Sequence, residues 1–272
     1  MERIQSAIAK ARATREGQSA PERPRPAAAR LADQGHDAWA AIPSAELKPK
    51  HLRANRVTAF EGGVAAAEFD RLRTRVLQRM HSEGWRRVAI VSPGPRNGKT
   101  TVAANFALSL AKQSHLNGLL VELDLRRPSL GTMLGLPGNL DVTRVLKGEG
   151  VAVDHMVRLR DNLIVAPAKP MGSGTAEFLQ DPAAVAALDT MIEGFAPSVT
   201  VFDMPPLGVG DDVIGFLANV DCALIVAAAG QTSIAEIDTC EREVAERTSV
   251  LGVVLNKCRY ESKQGEYGYG YY

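Results

Sequence analysis

The sequence predicts an α/β fold, a mostly parallel sheet flanked by helices, and three observations predict it. From residue 86 onward, short apolar runs alternate with stretches of helical periodicity. The runs are continuously apolar, as in strands buried on both faces. Strand, helix and strand in succession give parallel neighbours covered by helices. The runs fall at residues 88–91, 118–121, 163–165, 199–202, 223–226 and 251–255, and helical patterns at 100–113, 181–195 and 234–246. One more helix, over 64–81, precedes the first run. Ligands of such sheets bind beyond the carboxyl ends of the strands, so the chemistry is expected just after each run.

Composition narrows the function. The 272 residues carry 32 Lys and Arg against 31 Asp and Glu, a net charge of +1, which does not suggest a nucleic-acid binder. Three cysteines, Cys222, Cys240 and Cys258, are too few for a disulfide framework and too far apart for a zinc or iron–sulfur site. No apolar run approaches the ~20 residues needed to span a bilayer, and no export signal opens the chain, so a cytoplasmic protein is expected. Charge also marks a boundary. Residues 1–60 hold 11 basic and 6 acidic side chains with Pro21, Pro24 and Pro26 clustered, and read as a short helix over 2–15 followed by a flexible basic linker. Ile4, Ile8 and Ala11 share one face of that helix, which suits a partner or a membrane surface as well as it suits a polar arm. Residues 61–258 form the nucleotide-binding domain of this reading, and residues 259–272 a tail. All five tyrosines lie in the last 13 residues: Tyr260, Tyr267, Tyr269, Tyr271 and Tyr272.

The first run leads through Ser92-Pro-Gly-Pro-Arg-Asn-Gly-Lys-Thr-Thr101 into a helix. A phosphate-binding loop needs inward backbone N–H groups, a glycine where the phosphate comes close, a lysine for the β and γ oxygens and a hydroxyl for magnesium. Gly98, Lys99 and Thr100 supply these, and Pro95, Arg96, Asn97 and Thr101 complete the candidate cradle; Pro93 replaces the first glycine of the usual motif. After the second run come Glu122 and Asp124, two positions apart, which on a strand face the same side. The fourth run delivers Asp203 at its tip, followed by Met-Pro-Pro206, as expected of a Walker B magnesium acid.

These residues resemble the bacterial tyrosine kinases, the CpsD/CapB-type autokinases of capsule and exopolysaccharide loci. The likeness spans residues 60–272 and rests on the Ser-Pro-x-Pro-x-x-Gly-Lys-Thr-Thr loop and on Asp124-Leu-Arg-Arg-Pro-Ser129. It also rests on Asp203-Met-Pro-Pro206, Gly252-Val-Val-Leu-Asn-Lys257 and the terminal tyrosines. The resemblance implies a MinD/ParA-like P-loop kinase that uses ATP and Mg2+ to phosphorylate its own Tyr267, Tyr269, Tyr271, Tyr272 and Tyr260. By it, Lys99 stabilises the phosphate charge, Thr100 and Asp203 hold the metal, Asp124 serves as base or metal-side acid, and Asn256 contacts adenine. It further implies a separate transmembrane polysaccharide co-polymerase as activator, recruitment by it to the inner face of the membrane, a cognate tyrosine phosphatase and a homo-oligomeric ring.

Departures accompany the likeness. Glu122 stands where the family's acidic motif usually begins with Asp, which leaves its catalytic part open. The helix before the loop offers Glu68 and Arg71 but Thr74 in place of a second arginine; aligned on Arg73 it loses the acid. Two competing classes are a regulatory ATPase of the MinD/ParA type and a nucleotide-binding polysaccharide co-regulator without catalysis. The first typically carries a lysine early in the loop, where this chain has Gly94.

Overall fold

The structure, a computed structural model, describes residues 38–258. The expected helix over 2–15 and the tail with Tyr260, Tyr267, Tyr269, Tyr271 and Tyr272 lie outside the described residues.

Helices α1 (Pro49–Ala54) and α2 (Val64–Glu83) precede the first strand. Two glycines delimit α2, Gly63 with φ 107° before it and Gly84 with φ 71° after it, the second a left-handed C-cap that residues with a Cβ rarely adopt. Then follow β1 (Arg87–Val91), α3 (Lys99–Leu110), β2 (Gly118–Glu122), the short helices α4 (Leu130–Leu134), α5 (Val142–Leu146) and α6 (Ala152–His155), and strands β3 (Val157–Arg160) and β4 (Leu163–Ala166). The chain continues through α7 (Thr175–Gln180), α8 (Pro182–Phe195), β5 (Val199–Asp203), α9 (Asp212–Phe216), β6 (Cys222–Ala228), α10 (Ile234–Ala245) and β7 (Ser249–Asn256). Local chemistry starts the later helices. The Asp181 carboxylate accepts from Ala183 N–H ahead of Pro182, and Ser233 with Glu236 forms a reciprocal capping box.

The seven strands lie in the order β3-β4-β2-β5-β1-β6-β7, all parallel except β3 against β4. The predicted parallel sheet is therefore present. Its antiparallel edge was not legible as a continuous apolar run, because Val157-Arg-Leu-Arg160 alternates with its arginines half-exposed. Alternation builds two cores from one sheet: Ala89, Val91, Leu119, Val121 and Phe202 enter one layer, and Val88, Ile90, Leu120 and Val201 the other. At ~1.5–3 kcal/mol for each large buried aliphatic, these layers supply most of the drive to fold.

The folded unit begins earlier than residue 61, which corrects the linker expected over the described part of 1–60. Trp39 is buried, donates from Nε1 to the Phe195 carbonyl at 2.7 Å and stacks edge-on with that ring. Leu52, Val57 and Ala59 are fully buried. Asn105 on α3, itself buried, accepts from the N–H groups of Thr58 and Ala59 at 2.7 and 2.9 Å and donates to the Arg56 carbonyl. Ala- and Pro-rich composition hid a segment whose few large apolar side chains enter both core layers, Trp39 and Ile42 one, Leu52 and Val57 the other.

Candidate active site

The carboxyl ends of β1, β2 and β5 meet at one point. Register places Asp203, the last residue of β5, beside Ile90 on one side and Glu122 on the other. The Asp203 carbonyl then accepts from the N–H groups of Leu123 and Asp124 at 2.8 and 3.1 Å, so the tip of β5 positions the loop that carries Asp124.

The phosphate loop is held open by its own backbone. Arg96 and Gly98 adopt positive φ of 62° and 90°, and Gly98 is the N-cap from which α3 starts at Lys99. The N–H groups of Arg96, Asn97 and Gly98 donate to no acceptor among the described residues. Free N–H groups at a helix N-terminus are the physical basis of an anion site. Pro95 and Arg96 are exposed at its rim, whereas Asn97 is buried and donates to the Val226 carbonyl and the Thr232 hydroxyl. Thr232 in turn accepts from Ala228 N–H at 2.9 Å, fastening the loop to β6. Thr101 follows on α3, where its carbonyl accepts from Asn105 at 2.8 Å.

Three charged groups face one another in this space. Lys99 is only 6 % exposed, and burial lowers its pKa against the opposing pull of Asp203 and Asp124. Asp203 is fully buried, and neither carboxylate oxygen has a hydrogen-bond partner of ordinary geometry among the described residues. Burial pushes its pKa up to about 7; Lys99 and the neighbouring Thr100 hydroxyl act against the rise, while Glu122 and Asp124 add to it. Burial likewise raises Asp124, and Lys99 is the main counterweight. A buried carboxylate without a donor is costly unless a cation completes it. The oxygen donors Thr100 and Asp203 fit a hard divalent ion. Among the described residues no group of three or more His, Cys, Asp or Glu could hold a metal alone, in keeping with magnesium's preference for one or two protein oxygens plus phosphate.

Glu122 lies beside this group and raises the pKa of Asp203, while its own oxygens are taken up by backbone. Its Oε1 accepts from the N–H groups of Ser129 and Leu130 at 2.5 and 2.7 Å, its Oε2 from Ala168 N–H at 2.9 Å, and none of its surface is exposed. β2 ends at Glu122, so Asp124 lies just beyond the strand, and both carboxylates act on Asp203. Glu122 is a brace between the start of α4 and the loop after β4. Burial pushes its pKa up to about 7 despite the three donors. Glu122→Ala, which leaves three N–H groups unpartnered, is expected to cost about 2–4 kcal/mol, read as a lower midpoint in urea unfolding.

Arg126, within the Asp124–Ser129 motif, joins two residues that the sequence did not single out, Asp212 and Thr175. Arg126 bonds Asp212 at 2.8 Å, and the Thr175 hydroxyl bonds the same carboxylate. A Cβ at Gly210 would strike both partners of that ion pair. The signal was present in Gly210-Asp-Asp212, seven to nine positions beyond Asp203. Asn256 is brought to the loop, its amide on the Asn97 carbonyl at 2.9 Å. On α2, Glu68 and Arg71 form an exposed pair at 2.7 Å, and Arg73 turns inward to the Ser109 carbonyl.

The fold is that of the MinD-like P-loop proteins: the cell division ATPase MinD of Pyrococcus furiosus superposes with a TM-score of 0.52 at 24 % identity, over 62 % of this chain and 71 % of its own. The kinase domain of the Escherichia coli tyrosine kinase ETK superposes with a TM-score of 0.63 at 20 % identity, over 74 % and 78 %. In sequence the chain is similar to a bacterial tyrosine kinase and to a polysaccharide transport protein. It is 29 % identical over 237 residues to the tyrosine-protein kinase YwqD of Bacillus subtilis, covering 83 % of this chain and 89 % of that one. It is also 31 % identical over 176 residues to the succinoglycan biosynthesis transport protein ExoP of Rhizobium meliloti, covering 62 % of this chain and 22 % of ExoP. No family model matches the chain. Among the described residues no helix is long and apolar enough to cross a membrane.

Proposed function

We propose that this protein is an ATP-dependent protein-tyrosine kinase that phosphorylates its own C-terminal tyrosines and thereby regulates exopolysaccharide or capsule synthesis or export. The observation that carries the reading is the buried Asp203 carboxylate beside Lys99 and Thr100 at the mouth of the phosphate loop, with no hydrogen-bond partner of ordinary geometry among the described residues. Supporting it are the tyrosine kinase YwqD, aligned over most of both chains, and the confinement of every tyrosine to the tail.

Each residue takes a part suited to its surroundings. The free N–H groups of residues 96–98 and the Lys99 ammonium receive the triphosphate, and Thr100 and Asp203 hold magnesium. Magnesium held there would supply charge neutralisation to the transferring phosphate. Asp124, raised by burial, is the better proton acceptor for a phenol whose ordinary pKa is about 10. The tyrosine oxygen bonds the γ-phosphorus as its bond to the ADP oxygen breaks; the phenol proton passes to Asp124 and ADP leaves. Positioning and charge neutralisation supply the rate.

The wider setting is part of the proposal. ExoP, a transport protein of succinoglycan biosynthesis, supports placing the chain beside a separate transmembrane polysaccharide co-polymerase that recruits it to the membrane. A cognate tyrosine phosphatase and a homo-oligomer, with α2 and its exposed Glu68 and Arg71 at the subunit contact, complete it. Incubation with γ-labelled ATP and magnesium tests the reaction: stable label on the protein is expected, whereas ATP hydrolysis without label would favour a regulatory ATPase.

A further inference from the structure

We propose that Asn256 and Lys257 are positioning residues that clamp the phosphate loop from behind, so that the end of β7 sets the direction of the loop's N–H groups. The inference rests on the nucleotide-binding part of the proposed function and assigns Asn256 to the loop backbone rather than to the base.

Two consecutive residues take two consecutive carbonyls. Lys257 Nζ donates to the Arg96 carbonyl at 2.5 Å and Asn256 Nδ2 to the Asn97 carbonyl at 2.9 Å. In a trans peptide the C=O and the following N–H point in opposite directions, and no peptide bond described in this chain is cis. Drawing the carbonyls of Arg96 and Asn97 toward β7 therefore turns the N–H groups of Asn97 and Gly98 to the other side. Those are two of the N–H groups left without an acceptor.

The conformation needs such a restraint. Arg96 has a Cβ yet sits at φ 62°, a region that costs a non-glycine residue on the order of 1 kcal/mol and persists only where neighbours hold it. Lys257 pays similarly, at φ 60°. The clamp is itself anchored. Asn256 Oδ1 accepts from Lys257 N–H at 2.8 Å, the Asn256 carbonyl accepts from Ala229 N–H at 2.8 Å, and Lys257 Nζ also reaches Gln231 Oε1 at 3.3 Å. Gly98 has a second reason to be glycine, because a Cβ there would collide with Asn256 Nδ2.

Backbone exchange and ligand chemistry test the clamp separately. In the full-length protein without nucleotide, Lys257→Met is expected to speed hydrogen exchange of the amides of residues 96–99 about tenfold, with Lys257→Arg close to wild type. With magnesium present, ATP, GTP and inorganic triphosphate are expected to lose affinity for Lys257→Met and Asn256→Ala by a common factor of about ten, the effect of one charge-assisted hydrogen bond. Unchanged exchange with unchanged affinities would overturn the clamp. A loss confined to ATP, sparing GTP and triphosphate, would overturn it in favour of a contact to adenine. A wild-type chain that binds triphosphate but never phosphorylates a tyrosine would remove the kinase reading and leave the clamp standing, provided the exchange and affinity shifts are seen.

Discussion

Replacing Lys99 by Met is expected to lower tail phosphorylation by at least about a hundredfold, the effect of withdrawing one preorganised donor from a developing phosphate charge. The loss has two sources. The ammonium that receives the β and γ oxygens disappears, and so does the main positive counterweight to Asp203 and Asp124. Asp203, already at about 7, then rises further and is protonated at neutral pH, so it no longer offers an anion to a cation. Because Asp203 can neutralise itself by taking a proton, the fold survives: at pH 6 the thermal midpoint of Lys99→Met is expected close to wild type. A variant that unfolds at pH 6, or one that retains full activity, would contradict this placing of Lys99.

The second large effect concerns stability and has a definite sign. Asp203 ordinarily titrates near 3.8 but is pushed up to about 7 in the folded chain, so the folded state holds its proton more tightly than the unfolded state. Its favourable contribution is therefore present below about pH 4 and is lost as pH rises through about 7. Glu122, raised from 4.5 to about 7, acts in the same direction. A shift of this size for a fully buried group corresponds to about 4 kcal/mol at 1.36 kcal/mol per unit. Asp203→Asn removes that cost but buries an amide with few partners, an offset of about 1–3 kcal/mol. The expected result in urea unfolding without metal or nucleotide is a gain on the order of 1–2 kcal/mol at pH 8, shrinking or reversing at pH 4, with phosphorylation abolished. A variant less stable than wild type at pH 8 would mean that the carboxylate is already paired there. Under the proposed function, stability is given up at Asp203 for a site that magnesium would complete.

Lys99, Gly98 and Asp203 were legible in the sequence because backbone geometry ties each to a strand end. A phosphate loop must follow a strand and open a helix, and a lone acid ending an apolar run is costly anywhere else. The three backbone donors of Glu122 were not legible, because they come from the start of α4 and the loop after β4, which only the tertiary structure brings to β2. The bond from Asn256 to the loop depends on the register of β7 beside β6, which pairs Asn256 with Ala228 through an irregularity near Ala223, and local sequence does not encode such offsets. Arg126 lies in the loop after β2, while Thr175 and Asp212 open α7 and α9, so their convergence exists only in the tertiary structure. Trp39 and Leu52 were lost in Ala- and Pro-rich surroundings whose average hid two well-buried anchors.

The most direct measurement is mass spectrometry of the C-terminal peptide after incubation of the full-length protein with ATP and magnesium. Phosphate on Tyr267, Tyr269, Tyr271 or Tyr272, absent from the Lys99→Met chain treated identically, is the expected result. An unmodified tail on a protein that hydrolyses ATP would contradict it.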